Sequence, residues 1–302
     1  MRRKLVKQGA ATLMVSLPSK WAKENGLIKG SEVEVEAVDN NLVISSKEID
    51  TKLETEVQLT NLSESSIRTI ITNTYRGGFD KIKVYFEEEK QFDILSEIIK
   101  NNLIGFEIIK KESNYCIVEN ITEPSEDQFN NILQKIFLNI NSLFEVTKKR
   151  FNKEKYIEDY NEIEDRIKKY DGFCRRVIFK KKIFSHESEF LWTFLHLLIH
   201  AQREIYLLNK ALDNHKILVK NYDYLDKVKE LYDLLIEAYS EKSLEKIEKI
   251  HELEKKYIYS DFYNLIQKNS KENIILYHLA SALRKFYLAS SPLIGAGLGR
   301  DT

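Results

Sequence analysis

Only three prolines, two cysteines and ten glycines occur in 302 residues, so this chain has few places to turn sharply or cross-link. Cys116 and Cys174 form neither a metal-type spacing nor a disulfide framework, which predicts two buried thiols in a reducing cytoplasm. The longest apolar-looking run, Phe190 to Ala201, is shorter than the roughly 20 residues that span a bilayer and is interrupted by histidine, so no membrane insertion is expected. The opening MRRKLVKQG is basic but lacks the apolar stretch and small-residue cleavage site of a signal peptide. There is no Ser/His/Asp or Cys/His signature, no phosphate loop and no GxGxxG, and Gly77-Gly78 reads as a helix end; an enzyme is not expected.

An excess of one charge is also missing, with 47 basic and 47 acidic residues, but the balance conceals a division. From Arg2 to Lys29 seven basic residues face the single acid Glu24, whereas from Ser31 to Thr60 eight acids face two lysines. A polyanion-facing surface beside a solvated one is the reading this supports. Hydrophobic residues at 43% and charged residues at 31% describe a folded chain rather than a disordered one. Its length predicts two or three domains, since one domain usually takes roughly 100 to 200 residues.

The scarcity of breakers dictates the second half. The prolines are Pro18, Pro124 and Pro292, and Gly172 is the only glycine from Pro124 to Pro292, so that interval is expected to be almost wholly helical. Apolar residues recur there at helical spacing, as in Phe129, Ile132, Leu133, Ile136, Phe137 and Ile140, then Tyr160, Ile163, Ile167 and Tyr170. Further stripes run through 190–212, 225–239, 244–258 and 274–287, with polar breaks near Ser185, Asn214, Ser240 and Asn269, giving six helices in two sets of three.

Before Pro124 the period shortens to two. Glu32 to Val38 and Asn41 to Ser45 flank Asp39-Asn40 as a hairpin. Residues 54–121 read strand, helix capped near Ser63, strand, helix from Gln91 to Asn102, strand, strand; a small α+β domain, ferredoxin-like, is the expected result. Residues 2–45 read as a strand, a turn at Gly9, a strand from Thr12 to Leu17, a short helix begun at Pro18 and stopped at Gly26, and the hairpin. About 45 residues enclose too little surface for a stable core, so dimerisation is expected.

At this point a resemblance becomes specific. The Arg3-Lys4 pair, the Gly9 turn, Leu17-Pro18, the helix through Trp21 and Lys23, Gly26-Leu27, Lys29-Gly30 and the EVEVE strand together resemble the AbrB/SpoVT-type DNA-binding family. That resemblance implies two chains interleaving their hairpins into one β-barrel dimer, with first strands and loops facing DNA. Residue by residue it points to Arg3, Lys4 and Lys23, with Arg2, Lys7 and Lys20 as neighbours; basic residues common in the family are absent at Ala10 and Ala22. The same residues also read as a solvated face or as part of a simple dimerisation device.

The helical half resembles PhoU-like phosphate-uptake regulators, built from a pair of three-helix bundles, and the whole order resembles archaeal regulators of that kind. The expected organisation is therefore a multidomain α+β chain. It comprises 1–48 as a DNA-binding and dimerisation module, 52–122 as an α+β middle domain, 125–291 as a six-helix domain (repeats 125–213 and 219–291), and 292–302 as a flexible tail. The resemblance implies carboxylates at E/D-x-x-x-D/E spacing that hold iron or another divalent cation. Here the counterparts are Glu248 with Glu252 and Glu158 with Glu162, while Glu164 and Asp171 share a face at i and i+7; lysines at 168, 169, 249, 255 and 256 surround them, so solvated surface acids are the competing reading, and no cofactor is certain. His196 and His200, with Glu204 one turn on, have metal-like spacing, but Leu197 replaces the glutamate of HExxH, and partly buried histidines satisfied by backbone or Glu204 are expected instead. Cys174-Arg175-Arg176 and Lys180 to Lys182 form a basic patch able to meet an anion or simply to be solvated.

The function implied is a cytoplasmic, homodimeric transcription regulator of phosphate homeostasis. Its rival is an adaptor that docks on a phosphate-transporter ATPase without touching DNA. Antitoxins also use such hairpins, but they usually end in a short disordered toxin-binding tail, whereas here an ordered body follows.

Overall fold

A computed structural model describes residues 2–9, 12–38, 41–46, 52–60, 63–122, 126–154, 158–181, 187–214, 223–268 and 272–297. Expectations for Ala10, the Asp39-Asn40 turn, Pro124, Ser185, Asn269 and the last five residues lie outside that set. The chain forms two compact units, Met1–Lys52 and Leu53–Thr302.

The first unit consists of two antiparallel ribbons and a short helix. β1 (Val6–Gln8) pairs with β2 (Thr12–Met14), and β3 (Glu34–Val38) pairs with β4 (Asn41–Ser45). β2 is shorter than the predicted Thr12–Leu17, because β1 offers only three residues and the register ends at Val6 opposite Met14. Likewise β3 begins at Glu34 rather than Glu32, where pairing with Ser45 starts. Between the ribbons, α1 (Ser19–Glu24) starts after Pro18 and stops at Gly26, whose φ of +66° lets the Leu27 N–H donate to the Ala22 carbonyl at 2.8 Å. Among the described residues of this unit none is buried.

The second unit opens with a four-stranded sheet. Its elements are β5 (Glu54–Gln58), α2 (Glu64–Arg76), β6 (Lys81–Tyr85), α3 (Glu89–Asn102), β7 (Phe106–Lys111) and β8 (Tyr115–Asn120), in strand order β5-β6-β8-β7. β5 and β6 are parallel across the α2 crossover, while β8 runs antiparallel to both β6 and β7. This corrects the ferredoxin-like expectation: that fold places its second helix before the last strand, whereas here both helices precede a terminal hairpin whose second arm lies beside β6. Capping explains the helix starts. Ser63 Oγ accepts from the Ser66 N–H at 3.2 Å, and Gln91 Oε1 accepts from the Glu87 and Glu88 N–H groups, so α3 begins two residues before the predicted Gln91. Ile82, Val84, Cys116 and Val118 fill one sheet face against Ile67, Ile71, Leu95 and Ile98, as the period of two requires.

The helical part comprises α4 (Glu126–Phe151), α5 (Tyr160–Lys181), α6 (Glu187–Asn214), α7 (Asp223–Glu241), α8 (Leu244–Lys255), a π-helical segment (Lys256–Phe262), α9 (Tyr263–Lys268) and α10 (Asn273–Gly295). Helix α5 packs on α4 and α6, α10 packs on α7 and α8, and the most extensive helix pair is α6 with α10. One core containing Ile140, Phe144, Leu198, Tyr232, Leu279 and Phe286 runs through these helices. The segments expected as separate middle and helical domains share this second unit, with α5 packed against both α2 and α3. The predicted tail does not begin at Pro292, because α10 continues to Gly295 with Pro292 and Leu293 buried. Among the described residues, no helix is long and apolar enough to cross a membrane.

Candidate nucleic-acid interface and charged sites of the helical part

In the first unit the candidate DNA-contacting cations are all exposed. Arg2, Arg3 and Lys4 precede β1, Lys7 lies within it, and Lys20 and Lys23 lie on α1. Lys20 meets Glu24 only at 3.9 Å, with both side chains largely in water, so the acid neutralises little. The same unit exposes an unusual amount of apolar surface: Ile28 is 79% exposed, Leu5 64%, Leu13 63% and Leu42 60%. A two-stranded ribbon is marginal in water by itself, and two such ribbons without a buried residue require a covering surface.

The acidic candidates of the second unit do not converge. Glu248 and Glu252 are exposed on α8, with Lys249 3.5 Å from Glu252. Glu158 is bound by Arg166 at 2.5 Å, and Glu162 is exposed. Glu164 and Asp171, by contrast, are buried on α5. Glu164 accepts from Gln202 Nε2 at 3.0 Å and Arg203 Nη1 at 2.7 Å, with Lys168 at 3.5 Å. Asp171 accepts from Arg76 at 2.8 Å and Arg175 at 2.7 Å. Their shared helix face offered a candidate cation site, but protein donors satisfy both carboxylates. Among the described residues no group of three or more His, Cys, Asp or Glu is placed to hold a metal ion.

His196 and His200 also depart from expectation. Both are exposed, their rings 4.4 Å apart, and Glu204 does not join them. It reaches instead to His278 Nδ1 on α10 at 2.9 Å and to Lys285. Though both side chains reach solvent, desolvation by the surrounding protein together with the positive charge of Arg175 lowers the His196 pKa; desolvation, His196 and Lys285 lower that of His200. For Glu204, burial acts in the opposite direction but is outweighed by hydrogen bonds from Lys285 and His278, and its pKa is lowered.

A further charged group had no sequence signal. Asp80, at the start of β6, is buried and bound by Arg176 and Lys180 of α5, and it accepts from the Leu53 N–H at 3.0 Å. Arg176 is 1% exposed and donates to the Tyr75 and Phe79 carbonyls at 3.1 and 2.8 Å, while its guanidinium lies over the Phe106 ring. Two residues of the basic patch read from the sequence, Arg176 and Lys180, thus form a clamp between helix and sheet. The partners stand about a hundred positions apart, a pairing that no local period reveals.

Residues 6–51 match the family described as antidote–toxin recognition MazE, bacterial antitoxin. The first unit is therefore similar to MazE/AbrB-type domains, a class that supports the DNA-binding hairpin reading. No curated protein matches the chain, and no solved structure matches it.

Proposed function

We propose that this protein is a homodimeric DNA-binding transcription regulator of phosphate uptake, acting by binding rather than catalysis, in which the helical part senses or relays phosphate status. The observation that carries DNA binding is the pairing, in one MazE-like unit, of an exposed acid-poor run with apolar residues that have no cover. A second copy supplies that cover: interleaved ribbons become a closed barrel, the uncovered side chains become its core, and the cations of two chains lie on one assembly. Val15 to Leu17, which continue past the end of β1, are the residues a partner strand would meet. Doubling the cations places enough charge to displace several counterions from a duplex. The packing of α4–α6 and of α7, α8 and α10, joined through α6 and α10, supports the PhoU-like pair of bundles on which the phosphate reading rests.

The test is fluorescence anisotropy with a labelled duplex from the region upstream of the protein's own coding sequence and with random DNA, at two salt concentrations. Sequence-preferring binding that falls by roughly 10³-fold or more between about 50 and 200 mM salt is expected if six or more phosphates are contacted. Absence of binding at low salt would leave the ribbons as a dimerisation device and favour an adaptor that docks on a transporter ATPase.

A further inference from the structure

The second unit contains a concave cleft of about 840 Å³ between α2, α5 and α6 that the DNA-binding reading does not use. Its lining carries six guanidinium or ammonium groups, from Arg68, Arg76, Lys168, Arg175, Arg203 and Lys210, against the four carboxylates of Glu64, Glu164, Asp165 and Asp171. The two buried carboxylates are each shared between two cations: Asp171 between Arg76 and Arg175, Glu164 between Arg203 and Lys168. Lys168 also pairs with Asp165 and Arg68 with Glu64, so the positive charge to spare lies with Arg76 and Arg175, which share the single charge of Asp171, and with Lys210. The buried carboxylates also fix the guanidinium groups in place, so a ligand need not order them. Arg76 Nε is buried and has no hydrogen-bond partner. His196 and His200 line the same cleft, and Trp192 and Tyr206 give it aromatic wall, with the Arg175 guanidinium 4.9 Å from the Trp192 ring.

We infer that this cleft binds a small molecule carrying two or more phosphate groups, up to the size of a nucleotide. Arginines recognise phosphate oxygens through paired N–H donors, and the cations are distributed over three helices, so one monovalent anion would engage only part of the set. The volume lies within the range usual for small-molecule sites, and the aromatic wall suits a base or another flat group. Because α2 belongs to the sheet layer and α5 and α6 to the helices, a ligand here would bridge those two layers. The inference deepens the proposal that the helical part senses phosphate status and rests on that reading for its biological role, but not on DNA binding.

Isothermal titration of the full chain with pyrophosphate, ATP, orthophosphate and sulfate at constant ionic strength tests it. Saturable binding of pyrophosphate or ATP, at least tenfold tighter than orthophosphate and sulfate, is expected. The double variant Arg68→Gln, Arg203→Gln is expected to weaken it at least tenfold, and Lys246→Gln on α8 to leave it unchanged. Equal affinity for pyrophosphate and ATP would assign an inorganic polyphosphate; a preference for ATP would assign a nucleotide at the Trp192 wall. The inference is overturned if neither compound binds, if orthophosphate binds as tightly, if the double variant binds like the parent, or if Lys246→Gln weakens binding equally. Should circular dichroism show the double variant unfolded, Lys210→Gln decides by the same criterion. Anisotropy with DNA on the same protein separates failure of this site from failure of the regulator reading.

Discussion

At the scale of single residues, the buried charges carry the sharpest consequences. Asp80 neutralises two cations of α5, one of them Arg176 in a nearly dry site, so Asp80→Ala leaves a guanidinium buried without its carboxylate. Breaking such a pair costs about 3–5 kcal/mol, and urea unfolding should show a loss of that order. Adding Arg176→Met should recover part of it, since the unpaired charge is then gone. The histidines give a pH dependence whose sign is determined. A folded pKa below the ordinary 6.5 means the unfolded chain takes up protons first, so stability is complete above that value and falls as pH drops through the lowered pKa. Thermal melts from pH 7.5 to 5 should show that fall, reduced in His196→Gln, His200→Gln. A second fall, below the ordinary carboxylate values, belongs to Glu204 and Asp80, which are both held low by hydrogen bonds from neighbouring cations despite burial. Of these groups the sequence singled out the histidine pair, Glu204 and the basic residues Arg176 and Lys180. It did not expose Asp80 or Glu204's choice of α10, because both depend on neighbours distant in sequence.

At the scale of elements, local chemistry predicted well wherever a cap or a period acted within a few residues. Ser63 starts α2 and Pro18 precedes α1, and the expected order of strands and helices in residues 54–121 is the order found. Strand lengths and sheet topology were less legible, since each depends on what lies opposite; β2 ends early for want of a partner in its own chain. The link from α3 to β7 offers a local test. Gly105 has φ of +78°, and a Cβ there would lie 2.8 Å from the Thr122 hydroxyl and 3.0 Å from the Thr122 carbonyl. Gly105→Ala therefore combines a left-handed backbone with a contact to main chain, and a loss of about 1–3 kcal/mol in denaturant titration is expected.

At the scale of the whole molecule, the first unit makes the clearest demand. With none of its described residues buried, it should be stable only as an assembly, and Leu13→Glu should shift sedimentation toward the monomer by placing a charge in the proposed barrel core. Arg3→Ala, Lys4→Ala should behave oppositely, abolishing DNA binding in the anisotropy assay while leaving the dimer intact. Together the two variants separate folding of the module from its use. A chain that dimerises normally but binds DNA equally well with and without Arg3 and Lys4 would move the interface elsewhere.

The sequence by itself determined the elements and their order: breakers, caps and apolar periods act over three to seven residues, and the sign of the charge on residues 2–29 needs no fold to be read. Tertiary structure decided which charges meet. It turned Glu164 and Asp171 from candidate cation ligands into anchors for arginine and lysine, clamped α5 to the sheet through Asp80, and assembled the cationic cleft from three helices. Electrostatic partnership depends on distance in space, and pairs such as Asp80 with Arg176 or Glu204 with Lys285 join helices and strands that no local period relates.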